Sequence, residues 1–194
     1  MPAVVPYEER LNRDRRWALK EGSMHFEKAS AVYDSLQRIA KRLDDLGTPY
    51  ALVGGMAMFL HGYRRFTEDV DILLTRESLQ RIHERLDGLG YLPPFQGSKN
   101  LRDTDNGVRI VFIVSRGFST IDIDGIKCLE LAKLVELKLT SGTAEWRLKD
   151  RADVQEIIRL FALPAEFTDS LDPSVKESYL RLWGQVNAAP KGEM

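Results

Sequence analysis

The chain is poor in the residues that build covalent and metal frameworks: among 194 residues there are one cysteine, Cys128, and three histidines. A single cysteine excludes an internal disulfide framework and a multi-cysteine metal site, and it fits a reducing compartment, so a cytoplasmic location is expected. Long apolar runs are lacking too. No stretch approaches the roughly 20 residues that a membrane helix requires, and the opening MPAVVPYEERLNRDRR has no apolar core of the kind that marks a signal peptide. No membrane partner is expected. Nor is one charge in excess: 28 Lys and Arg stand against 29 Asp and Glu, a net charge of −1. That balance excludes a general nucleic-acid binder, whose field is strongly positive, so a polyanion site would have to be local. What the chain does have is an ordinary core content, 43% hydrophobic residues, enough at this length for one compact domain with extensions.

Apolar spacing predicts a mixed order of elements. Residues 1–22 form a charged N-terminal extension in which Arg10, Arg13, Arg15 and Arg16 cluster, read as a solvated helix face or a docking arm. From Phe26 to Leu46 the apolar positions recur at helical spacing until Gly47 and Pro49 stop them. YALVGG reads as a strand entering a glycine turn, MAMFLHG as a helix, DVDILL as a strand, and 77–89 as a helix ended by Gly90. RIVFIV, from Arg109 to Val114, is the next strand, preceded by the Asn106-Gly107 turn signal of a hairpin. TIDIDGI gives a short edge, helices follow over about 128–140 and 149–161, and a last helix runs from Asp172 to Val186 before a polar tail. The predicted class is α/β (α+β), a small mixed sheet flanked by helices. The predicted division is the extension at 1–22, a main domain at 23–165, and a C-terminal helix and tail at 166–194.

The informative stretch is YALVGGMAMFLHGYRRFTEDVDILL, Tyr50 to Leu74. A glycine pair between strand and helix lets the backbone approach a phosphate, with N–H groups at the helix start directed at the anion. Alone, such a pair is more often only a tight turn. Asp69 and Asp71, however, stand two apart on an apolar strand and so share a face. Two adjacent carboxylates repel unless a divalent cation neutralises them, and magnesium takes carboxylate oxygens together with substrate phosphates. Arg64, Arg65 and Thr67 lie between the two motifs, which makes the combination far more specific than its parts.

Strand, GG, a helix containing HG, then R-x-T-x-D-x-D: in this order the residues resemble the polymerase-beta-type nucleotidyltransferase superfamily. More narrowly they resemble the small bacterial proteins akin to AbiEii-type toxins. Gly54, Gly55, His61, Gly62, Arg65, Thr67, Asp69 and Asp71 carry the match, which continues in LAKLVELKLTSG and RLKDRADVQEII and spans roughly residues 48–160. The resemblance implies a nucleotidyltransferase fold and a magnesium-bound nucleoside triphosphate. It implies Gly54, Gly55, Arg65 and Thr67 on the nucleotide, Asp69 and Asp71 as metal ligands and catalytic acids, and Lys138 and Asp150 as further catalytic residues, with Asp153 a weaker candidate. Lys149 and Asp153, four apart, also suit a plain helix-surface ion pair. The implied partners are the triphosphate, an RNA (tRNA) or protein acceptor, and an antitoxin.

One departure cuts against full activity. Relatives of this type carry a third carboxylate in a strand resembling R-I-E-F, and RIVFIV puts Val111 there, a residue that can neither bind metal nor act as a base. Alternation places Arg109, Val111 and Ile113 on one face, beside Asp69 and Asp71 if the strands pair as in the relatives. Asp122 and Asp124, two apart on an extended segment, are candidate replacements, although Gly125 suggests that Asp124 simply opens a turn. The remaining conspicuous residues have plainer readings: His61 as a helix-end hydrogen-bonding residue, His25 and His83 without metal-like partners, Cys128 buried and inert at a helix start, and Trp146 as junction packing or a base-stacking side chain.

Overall fold

The structure, a computed structural model, describes residues 4–141 and 148–188, so the Gly142–Trp146 loop and the polar tail lie outside the described residues. The chain falls into two compact units, Met1–Leu129 and Glu130–Met194. Unit boundaries therefore differ from the expected 22/23 and 165/166.

Unit 1 is built on one seven-stranded mixed sheet. Its strands are β1 (Tyr50–Val53), β2 (Asp69–Leu74), β3 (Tyr91–Leu92), β4 (Leu101–Asp103), β5 (Arg109–Val114), β6 (Thr120–Ile123) and β7 (Ile126–Leu129), in the order β3-β4-β5-β2-β1-β7-β6. β2 runs parallel to β5 and antiparallel to β1, and β7 runs parallel to β1. Around the sheet lie α1 (Tyr7–Arg13), α2 (Arg15–Phe26), α3 (Ala31–Asp45), α4 (Gly54–His61) and α5 (Arg76–Leu86). Val70, Ile72, Leu101, Ile110 and Phe112 are fully buried. Two contacts place α3 and α5 over this side of the sheet: Ser35 Oγ donates to Asp103 on β4, and the His83 ring stands 6.5 Å from Phe112. The opposite side carries Asp69, Asp71, Val111 and Ile113, which are only half-buried.

Several boundaries depart from the sequence pattern. The helix expected from Phe26 begins only at Ala31: Phe26 ends α2, Lys28 takes a left-handed φ of +58°, and Ser30 accepts from Tyr33 N to start α3. Helix α5 stops at Leu86, since Asp87 adopts extended backbone and bridges to Tyr91. Cys128 belongs to β7, opposite Leu52, rather than to a helix start.

The N-terminal segment is built into unit 1 rather than frayed. Tyr7 is fully buried, its hydroxyl donates to Glu21, and Glu21 in turn accepts from Ala31 N. Tyr7 N donates to Gly107 O, and Glu8 receives both terminal nitrogens of Arg102 at 2.8 and 2.9 Å. Gly107, at φ +79°, is where a side chain would collide: its Cβ would stand 2.1 Å from Val5 O. The arginines 10, 13, 15 and 16 face solvent, as a solvated helix face requires.

Unit 2 consists of α6 (Leu131–Ser141), α7 (Leu148–Leu160), a 3-10 turn (Ala165–Ser170) and α8 (Pro173–Ala188). Its core takes Leu134, Val135 and Leu139 from α6, Val154, Ile157 and Ile158 from α7, and Val175, Tyr179 and Leu182 from α8. No helix among the described residues is long and apolar enough to cross a membrane.

Candidate functional site

The glycine turn and the two aspartates meet on the half-open face of the unit 1 sheet. Strand β1 ends at Val53, paired with Asp71, so Gly54 begins α4 directly beside that aspartate. Gly54 has φ +65°, and a Cβ there would stand 1.9 Å from Asp71 Oδ2. Only glycine lets the carboxylate sit against the turn. Gly55 is packed as tightly, for its Cβ would lie 2.6 Å from Thr67 Oγ1 and 3.2 Å from a terminal nitrogen of Arg65. Thr67 is buried and donates to Asp69 Oδ1 at 3.2 Å. The structure thus gathers Gly54, Gly55, Arg65, Thr67, Asp69 and Asp71 in one place. Cavities described elsewhere in unit 1, of about 390 and 640 Å³, are lined by other residues, among them Arg38 and Tyr91 for the first and Glu77 and Arg81 for the second.

Strand β5 supplies the neighbouring row. Parallel pairing sets Arg109 beside Asp69 and Val111 beside Asp71, and in-register neighbours point to the same face. Val111 therefore stands next to the aspartates, and the row offers no third acid. It offers a cation instead: Arg109 Nη2 donates to Asp69 Oδ2 at 3.0 Å. Burial disfavours the Arg109 charge, but the hydrogen bond to Asp69 and the attraction of Asp69, Glu8 and Asp71 hold its pKa above the ordinary value. The sequence showed that Arg109 shares a face with Val111. It could not show the contact, which depends on the register of two strands 40 residues apart.

A second residue missed by sequence reasoning is His25, which positions Arg65. Its ring is 1% exposed among Phe26, Phe59 and Phe66, and Nε2 donates to Arg65 O at 3.0 Å. Burial pushes its pKa down, against the opposing pull of the Arg65 carbonyl and Glu21, and so favours the neutral ring. The other histidines are structural too, His61 Nε2 donating to Leu129 O and His83 Nε2 to Lys99 O.

Asp122 and Asp124 do not replace the missing acid. They lie at the β6 edge, three strands from β2 in the sheet order, on the order of 14 Å at ordinary strand spacing. Asp122 Oδ1 accepts from Gly125 N, and Asp124, at φ +55°, accepts from Lys28 Nζ at 2.5 Å, so both shape the β6–β7 turn. Cys128 is fully buried, and burial first, then Asp122 and Asp124, push its thiol up to about 12, as an inert thiol requires.

Unit 2 holds its own constellation. Lys138 donates to Asp150 Oδ1 at 2.6 Å and to Asp153 Oδ2 at 3.0 Å, and Ser141 Oγ donates to Asp150 Oδ2 at 2.9 Å. The three charged side chains are 14%, 14% and 3% exposed. Asp153 is thus joined to Lys138, which ties α6 to α7.

Among the described residues no group of three or more His, Cys, Asp or Glu is placed to hold a metal ion. Asp69 and Asp71 fit a magnesium ion in the manner that ion favours with nucleotides, one or two carboxylates plus phosphate oxygens. At Gly54 the missing Cβ lets the Asp71 carboxylate pack directly against the backbone at the start of α4.

No family model and no curated protein matches the chain. Solved structures do. The antibiotic-resistance factor ANT(2'')-Ia, in its solution structure, aligns at TM-score 0.54 and 14% identity over 79% of this chain and 95% of that one. A nucleotidyltransferase-like protein from Paracoccidioides brasiliensis aligns at TM-score 0.49 and 18% identity over 82% and 93%. The chain has the nucleotidyltransferase fold, and at these identities the likeness is one of fold.

Proposed function

We propose that the protein binds a magnesium–nucleoside triphosphate at Gly54, Gly55, Arg65, Thr67, Asp69 and Asp71 and transfers its nucleotidyl group to an RNA or protein acceptor, slowly by the standards of the superfamily. The observation that supports this reading is the packing of Gly54 against the Asp71 carboxylate, which brings the glycine turn and the Asp69/Asp71 pair together. Magnesium, when bound, supplies charge neutralisation between carboxylates and phosphates. The chain's residues do the rest. Backbone at the start of α4 and the Arg65 guanidinium orient the phosphates, and Thr67 fixes the Asp69 carboxylate through its hydroxyl. Val111, beside Asp71, supports slow transfer: no acid stands there to take a proton from an acceptor hydroxyl.

Lys138 and Asp150 enter the proposal from the resemblance alone. Lys138→Arg, which keeps a cation, and Lys138→Met, which removes it, test them: loss of nucleotide affinity in both marks a nucleotide contact, and loss of stability in Lys138→Met alone marks a clamp. The toxin role and an antitoxin partner belong to the same proposal.

The deciding experiment is incubation with each labelled nucleoside triphosphate and magnesium in the presence of total RNA and lysate. Label on tRNA or on a protein, absent with Asp69→Asn/Asp71→Asn, is expected. Triphosphate binding with no transfer leaves the second reading, a nucleotide-binding module, which Val111 favours. Absence of saturable binding sinks both.

A further inference from the structure

The acid missing at position 111 and the guanidinium present at position 109 lie on the same strand face, one beside each aspartate of β2. Asp69 is also more committed than a waiting metal ligand needs to be. Its Oδ1 accepts from the Thr67 hydroxyl at 3.2 Å and its Oδ2 from Arg109 at 3.0 Å, so each oxygen has a donor from the chain itself. Arg109 is in turn attracted by Glu8 on α1. Its side chain is 47% exposed, so the guanidinium sits at the solvent boundary, where an incoming anion would meet it. A guanidinium carries five N–H donors, and the bond to Asp69 uses one.

We propose that Arg109 is the resident cation of this site: it occupies Asp69 in place of a second divalent ion, and the chain accordingly takes up one ion with its nucleotide rather than two. This rests on the proposed nucleotide site and deepens it. Two carboxylates and one guanidinium leave a single negative charge on the chain, which one divalent ion already exceeds. A second would face the Arg109 charge with no third acid to hold it.

The test counts Mn²⁺ by electron paramagnetic resonance, first with the protein alone, then with a non-hydrolysable triphosphate analogue, for wild type, Arg109→Gln and Arg109→Lys, with thermal melts to confirm folding. Mn²⁺ alone is expected to bind weakly to wild type and to Arg109→Lys. It should bind about tenfold tighter to Arg109→Gln, the effect of removing one charge a few ångströms from a divalent ion at the protein surface. With the analogue, wild type is expected to hold one ion per chain. Unchanged Mn²⁺ affinity in Arg109→Gln, or two ions in wild type with the analogue, overturns the proposal. Failure of wild type to bind the analogue, with Mn²⁺ alone still responding to Arg109→Gln, sinks the proposed function and leaves Arg109 as the counter-ion of Asp69.

Discussion

Each unit contains two aspartates and one cation, yet the two groups differ in what surrounds them. In unit 2, Lys138 lies between Asp150 and Asp153, Ser141 adds a further donor, and all three charges are largely withdrawn from water. In unit 1, Asp69 and Asp71 share a strand face with Arg109 at the solvent boundary, and glycine backbone replaces side chains against Asp71. In unit 2 the charges are withdrawn from water and join α6 to α7; in unit 1 they are half-open and backed by a turn without side chains.

The contrast breaks most visibly at Gly54. Gly54→Ala forces an L-residue to φ +65° and drives a methyl group into the Asp71 carboxylate. The expected cost is roughly 3 kcal/mol, from left-handed strain and overpacking together, with loss of metal-dependent nucleotide binding. Chemical denaturation and calorimetric titration read the two effects. Lys138→Met leaves Asp150 and Asp153, three apart on α7, without the cation that α6 brings to them, and a stability loss of about 2 kcal/mol is expected, below the cost of opening a fully buried pair. A melt unchanged by this substitution would remove the clamp and with it the comparison.

A subtler separation comes from pH. The folded-state pKa of His25 lies below its unfolded value of 6.5 because burial disfavours the imidazolium. The unfolded chain therefore takes up the proton first, and this contribution to stability, complete above pH 6.5, is lost as pH falls below it toward the folded value. His25→Phe is expected to flatten that slope between pH 7 and 5 and to weaken nucleotide binding slightly by loosening Arg65. Thermal melts across that range, compared with wild type, measure the slope.

How much of this the sequence carried depends on the range of each cause. The glycine turn, the alternation in DVDILL and RIVFIV, and the Asn106-Gly107 reversal are local, and each was legible from a few residues. The break at Lys28 was not, because the apolar spacing of α2 and α3 runs on through a residue whose left-handed backbone leaves no mark on that pattern. Strands β3 and β4, two and three residues long, are too short to show alternation. Arg109 was legible as a neighbour of Val111 but not as a partner of Asp69, which only the parallel register supplies. For Asp122 and Asp124 the spacing matched the Asp69/Asp71 pair while Gly125 marked a turn, and sheet order, which spacing does not encode, put them at the far edge.

The clasp between α1 and the β4–β5 hairpin has a consequence for how the protein is made. Glu8 must pair with Arg102, a residue 94 positions later in the chain. At ribosomal speeds of about 5–20 residues per second, its seat is synthesised roughly 5–20 s after it. Helix α1 can thus dock on its hairpin only after Arg102 has been made, and closure of unit 1 around Arg109 and Asp69 waits on the synthesis of β5.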